Sequence, residues 1–189
     1  MAQFTLPLPV TVKAMVLEGR AVHGFEADDP QAAAAGTGVG ARINRDLTKV
    51  RYGTQSLKVD YDFTAIEAAQ DQKKQGIVTT AKALQEGDAV LGLWVYSDGS
   101  GNALSARILS GGQTQSLWLT TLDTAGWKYV TAQLPAGEKT LAGFAVTQEE
   151  TGAASGTLYL DQVTAANGVL EDVTGPVITT NQTETGLEI

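Results

Sequence analysis

The 189-residue chain has no cysteine, which excludes a disulfide framework, a thiolate zinc site and a cysteine nucleophile. Its only histidine is His23, so no chemistry that needs two imidazoles is open to it. Basic residues are scarce. Thirteen Lys and Arg against twenty-one Asp and Glu leave a formal charge of −8, the wrong sign for a surface that must displace counterions from phosphates. No stretch approaches the roughly 18 continuous apolar residues of a membrane-spanning helix. The opening residues, Met1-Ala2-Gln3-Phe4-Thr5-Leu6-Pro7, lack the charged region and apolar run of a signal peptide. Both ends read as though cut from a longer chain, in which a signal would lie elsewhere. Charged residues make up only 18% against 43% apolar, too little charge for a chain disordered throughout.

Glycine is plentiful, with 21 residues marking many turns, and the segments between turns alternate. Leu57, Val59, Tyr61 and Phe63 share one face of a strand, as a period of two requires. Further strands are expected over 76–80, 89–96, 103–109, 115–120, 127–132, 141–146 and 156–163. Asp98-Gly99-Ser100-Gly101-Asn102 and Ser110-Gly111-Gly112-Gln113 read as hairpin turns; the first lacks the Gly-Lys-Ser/Thr and helix of a phosphate-binding loop. Segment 26–41 reads as a loop whose alanine run has room for one helical turn. Segment 65–76 is either a partial helix or a polar surface loop. No alternation of strands with helices appears. The expected fold is therefore all-β, a two-sheet antiparallel β-sandwich of jelly-roll type over 23–166. Residues 1–22 and 167–189 are expected to be an extended segment and a linker, or the start of a following module.

Several phrases carry a resemblance. They are Gly24-Phe25-Glu26, Tyr52-Gly53-Thr54-Gln55-Ser56-Leu57-Lys58-Val59, Leu93-Trp94-Val95-Tyr96-Ser97-Asp98-Gly99-Ser100-Gly101-Asn102, Gly126-Trp127-Lys128-Tyr129-Val130 and Leu158-Tyr159-Leu160-Asp161-Gln162-Val163. In order and spacing they resemble the β-jelly-roll, galactose-binding-like carbohydrate-binding modules of bacterial secreted glycoside hydrolases. The module appended to bacterial phosphodiester glycosidases is especially similar. The resemblance spans residues 24–165 and implies a noncatalytic module, secreted or on the cell surface, joined to catalytic or anchoring domains. It also implies that Trp127 packs in the core. A structural Ca²⁺ between the first and last strands would be held by Glu26 and Asp161 and by a carbonyl near Arg51 or Gly53. Asp28 and Asp29 are further acids within reach. The alternative for Asp161 is a turn or backbone hydrogen bond.

A sugar site needs an aromatic plane to stack on a pyranose ring and a few polar groups to fix its hydroxyls. Alternation puts Leu117 and Leu119 on one face and Trp118 on the other with Ser116 and Thr120. Arg107 shares a face with Ser105 and Leu109, while Leu104, Ala106 and Ile108 point inward. Trp94 and Tyr96 lie opposite Leu91, Leu93 and Val95. Trp118, Arg107, Tyr96 and Trp94 are the expected sugar-binding residues of one groove; alternatively Trp118 covers the back of the sandwich or packs under 65–76. Paired acids such as Asp60 and Asp62, or Glu149 and Glu150, are explained by a solvated strand face and a loop, so they give little support to a glycosidase. A spacer or adhesion module without a sugar site is the main rival reading.

Overall fold

The structure is a computed structural model that describes residues 10–12, 19–27, 29, 32–168 and 178–180. Thirteen strands run in chain order among them: β1 (Val10–Val12), β2 (Arg20–His23), β3 (Ala33–Ala34), β4 (Val39–Asn44), β5 (Ser56–Asp62), β6 (Gln75–Ala83), β7 (Val90–Ser97), β8 (Ala103–Ser110), β9 (Gln113–Thr121), β10 (Gly126–Gln133), β11 (Lys139–Thr147), β12 (Ser155–Ala166) and β13 (Ile178–Thr180). Two sheets form the sandwich. One has the order β10-β7-β12-β5-β4, with β2 also paired to β12, and the other runs β3-β6-β11-β8-β9. All pairings are antiparallel. The all-β sandwich expected from the alternation is the fold observed. Of the two terminal segments, Val10–Val12 pairs with Ile178–Thr180; most of the remaining terminal residues lie outside the described residues.

The alternating residues do what their period demands. Leu57, Val59 and Tyr61 of β5, Leu91, Leu93 and Val95 of β7, and Leu104, Ala106 and Ile108 of β8 all point into one core. Leu141, Phe144, Leu158 and Leu160 meet them there. Burying each such leucine or phenylalanine contributes about 1.5–3 kcal/mol, which sets the register of every strand that carries one. Residues 110–113 form the tight β8–β9 hairpin; Gly111 and Gly112 both take positive φ, at 58° and 77°, as a primed turn requires.

Three local expectations are corrected, and the alternative left open for 65–76 resolves to the loop. The Asp98–Asn102 segment is not a hairpin, because β7 and β8 belong to different sheets. It is a corner that crosses one end of the sandwich. Asn102, fully buried, holds it by donating to the Ala153 carbonyl at 2.9 Å and the Tyr61 hydroxyl at 3.3 Å while accepting from Glu149 N. The alanine run is strand β3, paired with β6, and strand β4 begins within the segment expected to be loop. Segment 65–76 holds no α-helix. Phe63–Ala65 makes one 3-10 turn capped by Asp62, and Ile66 anchors the loop in the core. Trp127 lies outside the main core, on the outer face of the six-stranded sheet, edge-on to Tyr96 at 5.5 Å.

Candidate functional site

The corner between β7 and β8 decides where the expected sugar-binding residues go. Trp94 and Tyr96 face outward from the six-stranded sheet, whereas Arg107 and Trp118 face outward from the five-stranded sheet. The two outer faces point away from each other, so a single groove holding all four is corrected to two separate surfaces.

On the six-stranded sheet the aromatic side chains are already occupied. Trp94 is 3% exposed, with the Arg51 guanidinium 4.3 Å above its ring and Tyr129 at 5.4 Å. Lys49 Nζ lies 3.6 Å from the centre of the Tyr96 ring, and Trp127 and Tyr159 both meet that ring edge-on. The segment that follows β4 thus lies across these rings through cation–π contacts. Trp94 serves packing, and Tyr96 keeps only partial exposure.

The five-stranded sheet presents a different surface. Trp118 is 63% exposed, an unusual state for an indole in the middle of a strand, while Leu117 and Leu119 turn into the sandwich. Register places Trp118 opposite Ser105, followed across the sheet by Ala145 and Ile77. The adjacent row runs Ser116, Arg107, Gly143, Thr79 and Ala33. Arg107 and Trp118 are therefore diagonal neighbours, at a separation of roughly 7–8 Å for such pairs. The indole stands at one edge of a floor made mostly of small side chains. Thr120 leaves this face: a bulge between Leu104 and Ser105 turns it inward, where it is 6% exposed.

Gly143 was missed by sequence reasoning, although a lone glycine inside an apolar strand signals a bulge or close approach. It adopts φ +141°, and a Cβ there would meet the Val78 carbonyl oxygen at 1.9 Å. Neighbouring strands therefore close tightly beneath Arg107. Thr79, also missed, reaches this face only through the β11–β6 register.

The acids expected to hold calcium do converge. Glu26 follows β2, Asp161 lies on β12, and both grip the turn of residues 51–55. Glu26 accepts from Thr54 N at 2.8 Å, Thr54 Oγ1 at 2.8 Å and Gln55 N at 3.1 Å. Burial raises its pKa, but these donors outweigh it and hold the carboxyl below the ordinary glutamate value. Asp161 Oδ2 accepts from Arg51 N at 2.6 Å and Tyr52 N at 2.9 Å, the backbone hydrogen bonds foreseen as the alternative role. Its other oxygen, Oδ1, is buried with no hydrogen-bond partner. Burial pushes Asp161 up to about 6, the Tyr52 and Arg51 amides pull it down, and the Glu26 charge adds to the rise. An orphaned buried oxygen beside a second carboxylate fits a hard cation. Among the described residues no three acids or histidines gather there, so carbonyls and water would have to complete the shell. Asp29 instead pairs with Lys82 and accepts from Gly24 N, and Asp28 lies outside the described residues.

Of the paired acids weighed for catalysis, three have structural partners. Asp60 takes Arg42, Lys58 and Thr157, Asp62 caps the 3-10 turn, and Glu149 pairs with Lys73. His23, read as an edge-strand residue, is 2% exposed, stacks on Phe25 and accepts from Phe25 N.

No family model and no curated protein matches the chain. Solved structures do. A structure described as the basis for promiscuous specificity of carbohydrate-binding modules from the β-sandwich superfamily aligns at TM-score 0.53 and 15% identity, covering 80% of this chain and 63% of that one. A family 61 module in complex with β-1,4-galactotriose aligns at TM-score 0.49 and 15% identity, over 78% of this chain and 98% of that one. The family 11 module of the cellulosomal cellulase Lic26A-Cel5E of Clostridium thermocellum aligns at 0.48 and 13%, over 82% and 98%. The chain thus has the β-sandwich fold seen in carbohydrate-binding modules, on the strength of the first alignment.

Proposed function

We propose that this chain is a noncatalytic carbohydrate-binding module whose sugar surface is the outer face of the five-stranded sheet. The exposed Trp118 indole carries the reading: a flat apolar plane beside small and hydroxyl-bearing neighbours suits the face of a pyranose ring. Arg107, Ser105, Ser116 and Thr79 supply the polar groups that fix orientation. In a secreted or surface-attached bacterial protein, tethering would raise the local concentration of polysaccharide at a linked domain. The resemblance favours a phosphodiester glycosidase as that domain. Ca²⁺ at Asp161 and Glu26 would neutralise two neighbouring carboxylates and secure the turn of residues 51–55, a structural role separate from sugar contact.

Affinity gel electrophoresis on a panel of soluble polysaccharides tests the reading. Retardation by at least one glycan that is lost in Trp118→Ala, with melting unchanged, supports it. Migration unaffected by every glycan favours a spacer or adhesion module, and hydrolysis of any glycan by the isolated chain overturns the noncatalytic assignment.

A further inference from the structure

The five strands that build the sugar surface contain no Asp or Glu, in a chain that has 21 of them. Arg107 is the charged side chain in the two rows that hold Trp118 and its neighbours, and no hydrogen bond or ion pair joins its guanidinium to another described residue. Other strand cations have partners: Arg42 and Lys58 share Asp60, Lys82 takes Asp29, Arg20 takes Asp88, Lys128 takes Asp123, and Lys139 donates to the Glu86 and Gly137 carbonyls. An unmatched guanidinium on strands without carboxylates leaves an unneutralised positive charge beside the indole.

We infer that the surface takes an anionic glycan, a polysaccharide whose sugar rings carry carboxylates, with Arg107 as the carboxylate clamp beside the Trp118 stacking plane. This rests on the sugar-binding reading above and names its ligand class. The planar guanidinium presents parallel N–H donors that match a carboxylate in a bidentate pair. Gly143 and Ala145 keep the ground beside it low, so a ring substituent can reach the guanidinium. The absence of carboxylates from these strands removes the repulsion that would reject such a ligand.

Affinity gels containing polygalacturonate, its fully methyl-esterified form or neutral galactan separate the possibilities. The expected result is retardation by polygalacturonate, weakened about tenfold or more on methyl esterification, since a charge-assisted bidentate pair is what esterification removes. Arg107→Gln should abolish the preference for the charged polymer, Arg107→Lys should retain part of it, and Trp118→Ala should weaken binding to all forms. Melting curves of each variant should match the parent. Equal binding of the charged and esterified polymers overturns the inference and leaves sugar binding standing. No retardation by any polymer overturns both. Polygalacturonate binding that survives Arg107→Gln but is lost in Arg45→Gln/Lys49→Gln, within residues 45–51 that follow β4 and hold Arg45, Lys49 and Arg51, moves the anion to the other sheet and likewise overturns it.

Discussion

Raising the pH from 4 to 7 in the presence of a chelator should destabilise this protein, with Asp161 as the cause. Its folded pKa stands at about 6 against an unfolded value near 3.8, so between those limits the native state binds more protons than the unfolded chain. Stability therefore falls as pH rises through that window and levels off above it. A pKa gap of that width, at about 1.36 kcal/mol for each pH unit, amounts to about 3 kcal/mol. For a domain of this size that is a drop in melting temperature of about 6–12 °C. Groups held below their ordinary values, among them Glu26, Asp29 and Asp60, contribute in the opposite sense, losing their stabilisation only as pH falls through their own depressed pKa values. Thermal melts at half-unit pH intervals on the parent and on Asp161→Asn measure the effect. The asparagine can still accept from Arg51 N and Tyr52 N through its carbonyl, and subtracting its profile removes whatever the lone histidine contributes. Under the proposed calcium role, saturating Ca²⁺ at pH 7.5 should raise the parent's melting temperature and flatten its pH profile, because a bound cation would replace the proton at Oδ1. A difference curve that is flat between pH 4 and 7, or that climbs, would refute the reasoning. Melting unchanged by calcium would remove the metal and leave the proton.

Gly143→Ala should lower the denaturation midpoint by about 2–4 kcal/mol equivalent, since the new methyl group meets the Val78 carbonyl and φ +141° is disfavoured for alanine; urea titration measures it, and a change below about 1 kcal/mol counts against the β11–β6 register. Asn102→Ala should cost about 2–3 kcal/mol, because the Ala153 carbonyl, the Tyr61 hydroxyl and Glu149 N each lose a partner at the sandwich end. Trp118→Phe should remove most of the iodide-quenchable tryptophan fluorescence while leaving melting within about 0.5 kcal/mol, as expected of a surface substitution. Quenching that persists in that variant would mean Trp94 or Trp127 is the accessible indole.

Most strand faces were legible from short-range pattern, Thr120 excepted, because the β8–β9 bulge turns it inward. Leu104, Ala106 and Ile108 are all buried at 0% exposure, as their alternation requires, and Trp118 stands on the opposite side from Leu117 and Leu119. What alternation cannot encode is the sheet to which a strand belongs. A glycine-rich connection suits a hairpin and a corner equally, and only contacts distant in sequence, such as Asn102 with Glu149 and Ala153, choose between them. That one ambiguity separated Tyr96 and Trp94 from Arg107 and Trp118. Trp127 is a separate case: the resemblance implied a core position, and the structure puts it on the outer face against Tyr96 of β7. Glu26 and Asp161, 135 positions apart in the chain, came from a resemblance rather than from any local signal, and the turn that joins them supplies the physical reason they meet.

The position of β12 has a consequence for how the domain is made. This strand is hydrogen-bonded to β7 along one edge and to β5 and then β2 along the other, so it is the middle of its sheet although it ends only at residue 166. Until it is synthesised, β7 and β5 have no common neighbour, and Leu158, Leu160 and Val163 are missing from the core. A nascent chain stopped at residue 150 would therefore hold two unjoined halves of a sheet with open edges, a state prone to pairing with other chains. The fold closes from its last long strand, which makes the order of synthesis the reverse of the order of dependence.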